Sequence, residues 1–199
     1  MPLFNLTENL LPNDGIATYY GRVVNYTDAQ TYLNNLLHTI AWKSDEVIIF
    51  GKHITTKRKT AWYGDQPFNY TYSGIARKAL LWTQELTELK KIAEDISGET
   101  YNSCLLNLYH DGSESMGWHS DNESSIKPQS AIASISLGAE RKFAFKHKTT
   151  GHTVSLVLEN GSLLVMKGAT QANWLHRLPP TKKVTQPRVN LTFRTMLPQ

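Results

Sequence analysis

The sequence of 199 residues contains a single cysteine, Cys104, which excludes an internal disulfide and a cysteine-rich zinc site. It has no apolar run of the roughly 18 residues that a membrane-spanning helix needs, and its N-terminus lacks the basic-then-apolar pattern of a secretory signal. Hydrophobic residues make up 40% of the chain and charged residues 19%, which excludes disordered and collagen-like proteins. We therefore expect one domain over residues 1–199, in an intracellular protein that is cytoplasmic or, in a eukaryote, nuclear.

Charge is distributed unevenly along the chain, although the formal net charge is only +4. Residues 1–50 carry two basic and five acidic side chains, whereas residues 51–91 carry eight basic and three acidic ones. The basic excess is greatest at Lys57-Arg58-Lys59. A patch of this kind suits a polyanion such as nucleic acid, and a solvated basic loop is the alternative explanation.

Hydrophobic spacing predicts two amphipathic helices followed by a series of short strands. The first helix is expected at about 28–40, capped by Asn25 or Thr27, and the second at about 78–97, ending before Gly98. Seven β-rich runs follow, separated by turn residues, at 103–109, 130–137, 141–147, 153–158, 161–166, 173–177 and 187–195. This order predicts a β-sandwich or barrel with helices packed outside it.

The last of these strands has an unusual polar face. Strand alternation puts its polar residues on one face and Val189, Leu191 and Phe193 on the other. In the predicted strand at 103–109, alternation likewise places Asn107 and Tyr109 on a shared face. The polar residues of the last strand are Arg188, Asn190, Thr192 and Arg194. Such a face either meets solvent or lines a pocket, and a pocket with two arginines needs an anionic ligand.

One histidine of the seven, His119, is followed two residues later by a carboxylate, Asp121. Chance alone supplies such a pair in a chain of this composition, so the pair gains weight only from its position between β-rich runs. His176 offers a third ligand. Two histidines and one carboxylate form the facial triad of non-haem Fe(II) oxygenases, with tetrahedral zinc as the alternative. The arginine strand favours iron, because these oxygenases use a dicarboxylate co-substrate.

Taken together, blocks of sequence over residues 47–196 resemble the AlkB family of Fe(II)- and 2-oxoglutarate-dependent oxygenases, most closely its branch acting on duplex DNA. The first 46 residues do not contribute to the resemblance. The blocks are Phe50-Gly51-Lys52, Trp62-Tyr63-Gly64-Asp65, Tyr70-Thr71-Tyr72-Ser73-Gly74, Asn107-Leu108-Tyr109, His119-Ser120-Asp121, residues 131–138, His176 and residues 187–194.

The resemblance implies an α+β, mainly β fold: a double-stranded β-helix (jelly roll) core at about 100–196, with N-terminal helices and a nucleotide-recognition lid at about 47–80. It implies that His119, Asp121 and His176 bind Fe(II). It also implies O2 as co-substrate and a site for 2-oxoglutarate made of Asn107, Tyr109, Arg188, Thr192 and Arg194.

The implied activity is oxidative demethylation of N-alkylated bases, such as 1-methyladenine and 3-methylcytosine, in DNA repair, with release of formaldehyde and succinate. The partner is expected to be duplex DNA with a flipped base, with single-stranded DNA or RNA as alternatives, and the protein is expected to be a monomer. The residues expected to contact DNA are Phe50, Gly51 and Lys52 (a finger that fills the gap), Arg58 (the backbone), Tyr70, Thr71, Tyr72 and Ser73 (the lid strand), and Asn122 and Glu123 (the base).

Asp121-Asn122-Glu123 departs from the family pattern, which has a second acid at the middle position, and this departure bears on any preference for cationic lesions. Two other functions remain open from the sequence. One is an RNA demethylase of the same oxygenase class. The other is a non-catalytic jelly-roll protein that binds nucleic acid. That protein would tolerate the loss of an iron ligand, whereas all three are present here.

Overall fold

The structure is a computed structural model that describes residues 8–49, 52–72 and 75–198. At 45–49, 52–54, 69–72 and 75–77 the description covers the backbone only. All seven strands predicted after residue 100 are present, with ends shifted by no more than two residues. They are β7 (Ser103–Tyr109), β9 (Ile132–Gly138), β10 (Arg141–His147), β11 (Thr153–Leu158), β12 (Ser162–Lys167), β13 (Trp174–Leu178) and β14 (Arg188–Arg194).

The structure also contains strands that hydrophobic spacing did not predict. Most of them lie before residue 100, where charged and polar residues obscure the alternation. They are β1 (Ile16–Arg22), β2 (Lys43–Ile49), β3 (Lys52–Gly64), β4 (Asn69–Tyr72), β5 (Ile75–Lys78), β6 (Leu80–Leu81) and β8 (Met116–His119). The range predicted for the lid therefore contains β3, β4, β5 and part of β2.

The first predicted helix is α1 (Tyr26–Thr39), and its cap is Asn25, one of the two candidates. The Asn25 side-chain oxygen accepts the backbone N–H of Asp28 at 3.0 Å, which satisfies one of the free donors at the helix start. The buried positions of α1 are Ala29, Leu33 and Leu36, at the spacing of one helical face.

The second helix, α2 (Gln84–Ser97), ends as predicted at Gly98, which adopts a left-handed conformation with φ +69°. The predicted start at residue 78 is wrong. Leu80 and Leu81 instead form the short strand β6, which pairs in parallel with the end of β3. The helix begins only where Thr83 can cap it, with its hydroxyl 3.4 Å from the Leu86 N–H.

Two sheets face each other, and β4 and β5 pair in a separate two-stranded sheet. The main sheet has the order β1-β12-β9-β14-β7-β3-β2, and the minor sheet has the order β11-β10-β13-β8. From β9 onward the chain crosses between them, with β9, β12 and β14 in the main sheet and β10, β11 and β13 in the minor sheet. This crossing pattern confirms the predicted mainly β, jelly-roll fold.

Two apolar clusters hold these layers together. One lies between the main sheet and the helices, where Val189, Leu191 and Phe193 of β14 and Cys104 of β7 are completely buried. The other joins the two sheets and includes Phe145 and Trp174 of the minor sheet. The apolar face of β14 thus packs under the helices, which leaves its polar face directed at the space between the sheets. No helix in the described ranges is long and apolar enough to cross a membrane.

Candidate metal and co-substrate site

His119, Asp121 and His176 lie together in a pocket that is lined by strands of both sheets. His119 ends β8 and His176 lies in β13, and the antiparallel pairing of these strands sets the two histidines directly opposite each other. Asp121 follows His119 by two residues. One ligand atom from each residue lies within 4.8 Å of the others, and no other such group of three occurs in the described part of the chain.

Asp121 presents one of its two carboxylate oxygens to the histidines. Its Oδ1 lies 3.8 Å from His119 Nε2 and 4.0 Å from His176 Nε2, separations too long for hydrogen bonds. Its Oδ2 accepts from Arg194 Nη2 at 2.6 Å and Nε at 3.1 Å. Burial alone would raise the pKa of Asp121, but the neighbouring groups, first among them the positively charged Arg194, outweigh burial and lower that pKa to about 2. The group is therefore a carboxylate at neutral pH.

Both histidines are arranged to offer a ring nitrogen lone pair. His119 Nδ1 lies 2.9 Å from the Gly117 carbonyl oxygen, and a carbonyl can only accept, so Nδ1 carries a proton and Nε2 is the nitrogen that remains for a metal. Burial, reinforced by the neighbouring His119, lowers the pKa of His176 to about 3. Two imidazoles and one carboxylate form the donor set that suits Fe(II) in non-haem oxygenases.

The polar face of β14 lines a pocket rather than meeting solvent, which decides the alternative that the sequence left open. The pocket extends from the ligand group across the main sheet. Its wall includes all four polar residues of β14, together with two from β7. These residues are Asn107, Tyr109, Arg188, Asn190, Thr192 and Arg194.

Arg188 lies at the inner end of this pocket and is 3% exposed. Its Nη2 donates to Ser136 Oγ at 2.8 Å, and its guanidinium lies 5.6 Å from the centre of the Tyr109 ring. Its buried Nε has no hydrogen-bond partner, and no carboxylate within residues 8–49, 52–72 and 75–198 pairs with it. Burial lowers the pKa of Arg188 to about 10, so it remains a cation at neutral pH. A buried cation without a counter-ion fits the carboxylate of an incoming dianion such as 2-oxoglutarate.

Arg58 is placed differently from its predicted position against a DNA backbone. The side chain is 7% exposed and lies in the pocket wall, where Nη1 donates to Asn107 Oδ1 at 3.0 Å. This position does not support a contact between Arg58 and a DNA backbone, and that contact stays a prediction. The reason is strand alternation: Lys57 faces solvent, whereas Arg58, Thr60 and Trp62 share the inward face of β3.

Most of the other residues predicted to contact DNA cannot be compared with the structure. Phe50, Gly51 and Ser73 lie outside the described residues. Lys52, Tyr70, Thr71 and Tyr72 lie in β3 and β4, of which only the backbone is described at those positions. Asn122 is exposed next to the ligand group, and Glu123 lines the pocket.

Several pocket residues were missed by the sequence prediction, although a period of two would have found some of them. Ser134 and Ser136 alternate with apolar residues in β9, so they share a face toward the space between the sheets; Ser134 lines the pocket and Ser136 bonds Arg188. Apolar contributions from four different elements carry no local signal. They include Leu105, Met116, Phe143 and Met166.

Comparison with known proteins agrees with this geometry. Residues 17–194 match the family model of the 2OG-Fe(II) oxygenase superfamily. The chain is 42% identical to mouse DNA oxidative demethylase ALKBH2 over 161 residues, which cover 77% of this chain and 67% of that protein. It is 42% identical to the human protein of the same name, covering 76% of this chain and 61% of that protein.

It is also 40% identical to human alpha-ketoglutarate-dependent dioxygenase alkB homolog 3 over 189 residues, covering 90% of this chain and 65% of that protein. The chain thus spans about two thirds of the length of these relatives. Among solved structures, that of OsALKBH1 is similar with a TM-score of 0.63 at 16% identity, covering 93% of this chain and 99% of that one. At this identity the likeness concerns the fold alone.

Proposed function

Because the chain belongs to the AlkB family of the 2OG-Fe(II) oxygenase superfamily, and is therefore a dioxygenase that uses Fe(II), 2-oxoglutarate and O2, we propose that it oxidatively demethylates N-alkylated bases in DNA. The observation that carries the proposal is one arrangement: a two-histidine, one-carboxylate group beside a buried arginine that lacks a counter-ion. A structural or purely binding jelly roll has no use for either feature. Two of the relatives are named DNA oxidative demethylases, which supports DNA as the substrate class.

In this proposal His119, Asp121 and His176 hold Fe(II), and Arg188 takes the far carboxylate of 2-oxoglutarate, with Asn107, Tyr109, Thr192 and Arg194 around the co-substrate. When bound, iron with 2-oxoglutarate and O2 supplies the oxidation of the N-methyl group to N-hydroxymethyl, while 2-oxoglutarate becomes succinate and CO2. The hydroxymethyl adduct then loses formaldehyde and leaves the unmodified base.

The protein's own groups supply position and charge. Arg194 donates a hydrogen bond to Asp121 Oδ2, so Oδ1 is the oxygen that would bind the metal. Leu105 and Thr192 line the pocket on the side of the main sheet. Glu123 brings a carboxylate to the same pocket, which favours a cationic base such as 1-methyladenine or 3-methylcytosine.

The base must leave the duplex to reach this pocket, since its alkylated edge is covered by pairing and stacking. We propose that Phe50, Gly51 and Lys52 fill the gap, that Tyr70, Thr71, Tyr72 and Ser73 form a lid over the base, and that the chain acts as a single domain and a monomer. The two histidine-bearing strands and the pocket all lie within one pair of sheets, which supports the single-domain assignment.

The test is an assay of base mass. The full chain is incubated with Fe(II), ascorbate and 2-oxoglutarate on oligonucleotides that carry 1-methyladenine or 3-methylcytosine, and the bases are analysed by mass spectrometry. We expect loss of the methyl group and release of equimolar succinate and formaldehyde. His119→Ala, Asp121→Ala and His176→Ala should each abolish turnover with DNA binding retained.

Parallel RNA oligonucleotides identify the substrate class. Preferential turnover of RNA would replace DNA by RNA in the proposal and leave the oxygenase chemistry in place. Binding of either nucleic acid without any succinate formation would contradict the proposed activity and favour the non-catalytic alternative.

A further inference from the structure

Two side chains outside the ligand group hold the residues that directly follow His119. The backbone N–H of Asp121 donates to Gln171 Oε1 at 2.9 Å. Lys148 Nζ donates to Ser120 Oγ at 3.2 Å, and also to the Gln171 carbonyl oxygen at 2.9 Å. Ser120 and Asp121 are therefore each hydrogen-bonded to one of these two side chains. Lys148 and Gln171 are in turn hydrogen-bonded to each other.

Gln171 and Lys148 are themselves fixed to the strand that carries the second histidine. Gln171 lies in the short helix α3 (Thr170–Asn173), which leads directly into β13 and is five residues before His176. Gln171 Nε2 lies 3.6 Å from Met166 Sδ, which orients the amide so that its oxygen faces Asp121. The backbone N–H of Lys148 donates to the Asn173 carbonyl at 2.8 Å.

A short path therefore joins the two ligand-bearing segments independently of the ligands. It runs from Asp121 to Gln171 and through α3 to His176, and Lys148 bonds to Ser120, which precedes Asp121, and to Gln171 and Asn173 within α3. Asp121 is 6% exposed, so its N–H would lack a partner without Gln171, and an unpaired buried donor favours a shift of the segment. Such a shift would move the Asp121 carboxylate relative to both imidazoles.

We propose that Gln171 and Lys148 are positioning residues that set the geometry, and with it the metal affinity, of the His119, Asp121 and His176 group. The inference rests on the proposed function only in that this group binds a divalent metal. Neither side chain contacts the ligand atoms, and Lys148 carries a positive charge, which by itself disfavours a nearby cation. The contribution of Lys148 must therefore come from its hydrogen bonds rather than from its charge.

Because Lys148 is positively charged, an electrostatic role and a positioning role predict opposite changes in metal affinity when it is replaced. Removing a positive charge near a cation site should strengthen metal binding if electrostatics alone acts, whereas loss of the positioning bonds should weaken it. We therefore expect Lys148→Met to bind metal more weakly than wild type, against the electrostatic direction. Lys142→Met is the matched control, since Lys142 is an exposed lysine on β10 with the same charge and no bond to the ligand segment.

Gln171 has its own matched pair. Gln171→Leu removes the acceptor at nearly constant size, whereas Gln171→Glu keeps an acceptor oxygen for the Asp121 N–H. Binding of Mn(II) is measured without O2 or nucleic acid, from the electron paramagnetic resonance signal of free Mn(II). We expect Gln171→Leu to raise the Mn(II) Kd by about 10-fold, as is typical for residues that orient metal ligands. Gln171→Glu keeps the acceptor and adds a negative charge near the cation site, so it should bind Mn(II) at least as tightly as wild type.

The outcomes separate this inference from the proposed function. If wild type binds Mn(II) and both Gln171→Leu and Lys148→Met bind it as tightly as Lys142→Met, the positioning role is wrong while the metal site stands. If wild type binds no Mn(II), the metal site and the proposed function fail together. Thermal unfolding of the metal-free variants accompanies each titration, and the exposed Lys148 provides an answer even if Gln171→Leu does not fold.

Discussion

At the scale of the residue, burial acts in opposite directions on the two kinds of metal ligand. It lowers the pKa of His176 to about 3 and so keeps the imidazole neutral, as a metal ligand must be. Burial would raise the pKa of Asp121 and so favour the protonated acid, whereas a metal ligand must be a carboxylate. The contact with Arg194 reverses that effect. A charge 73 residues further along the chain thus keeps Asp121 ionised.

Arg188 provides a prediction about the co-substrate. Arg188→Met should raise the Kd of 2-oxoglutarate for the Mn(II)-loaded protein by about 10- to 100-fold, because a charge-assisted hydrogen bond in a buried site is lost. The Kd of Mn(II) itself should not change, since Arg188 does not contact the ligand group. Isothermal titration calorimetry measures both constants.

Arg22→Met is the control for the change in charge, because Arg22 is an arginine at the surface whose partners are Glu140 and Glu159. Equal 2-oxoglutarate affinities in Arg188→Met and Arg22→Met would remove Arg188 from the co-substrate site.

Cys104 provides a prediction about pH and stability. Burial raises the pKa of this thiol above its ordinary value of 9.0. Above that pH the unfolded chain loses the thiol proton while the folded chain keeps it, so the folded state loses stability as pH rises. Relative to Cys104→Ala, the free energy of unfolding of wild type should fall by up to about 1.4 kcal/mol per pH unit above pH 9.

Urea denaturation under reducing conditions at pH 8, 9 and 10 measures this difference. A difference between the two proteins that is independent of pH would mean that the folded thiol titrates normally, contrary to its complete burial.

At the scale of the element, the sequence predicts the features that depend on one strand or one helix alone. The alternation in β14 predicts which side chains share a face, and the apolar face is buried as expected. Alternation alone does not show which face of β3 points inward. Arg58 is buried because β3 pairs with β7, and on that face its side chain lines a pocket. The wrong start of α2 has a similar cause, since Leu80 and Leu81 have helical spacing but hydrogen-bond to β3.

The start of α1 offers a prediction at this scale, because the sequence allowed either Asn25 or Thr27 as its cap. The structure assigns the cap to Asn25. Asn25→Ala should lower the free energy of unfolding by about 1 kcal/mol, since the Asp28 N–H loses its acceptor. Thr27→Ala should change it by less than about 0.5 kcal/mol, because Thr27 is an exposed residue inside the helix. Chemical denaturation of both variants measures the contrast, and the reverse order would assign the cap to Thr27.

At the scale of the whole molecule, the site depends on contacts between distant parts of the chain. The ligand group joins β8 and β13 of the minor sheet, whereas Arg188 and Arg194 come from β14 of the main sheet. The sequence itself indicated the ligand candidates and the arginine face, and the family resemblance combined them into one site, since no local pattern relates residues 119 and 194. Residues such as Gln171 and Lys148 have no signal of either kind, because their relation to Asp121 exists only in the folded chain.

The last prediction concerns how a duplex is engaged, and it rests on Phe50. Ile49 at the end of β2 pairs with Lys52 at the start of β3, and Phe50 and Gly51 are the two residues between them in the sequence. The apolar run before Phe50 and the basic run after it suit a side chain that enters the base stack beside phosphates. Flipping a base from a duplex costs a few kcal/mol of stacking and pairing, and a wedge offsets part of that cost. A single strand has far less to replace.

Phe50→Ala should therefore reduce demethylation of methylated duplex DNA at least several-fold and leave activity on the matching single strand nearly unchanged. The measurement is initial succinate release on both substrates at equal concentration. Tyr26→Ala is the control, because Tyr26 is an exposed aromatic residue at the start of α1. Equal losses on both substrates with a lowered unfolding temperature would identify Phe50 as a core residue. Unchanged activity on both would remove it from substrate binding altogether.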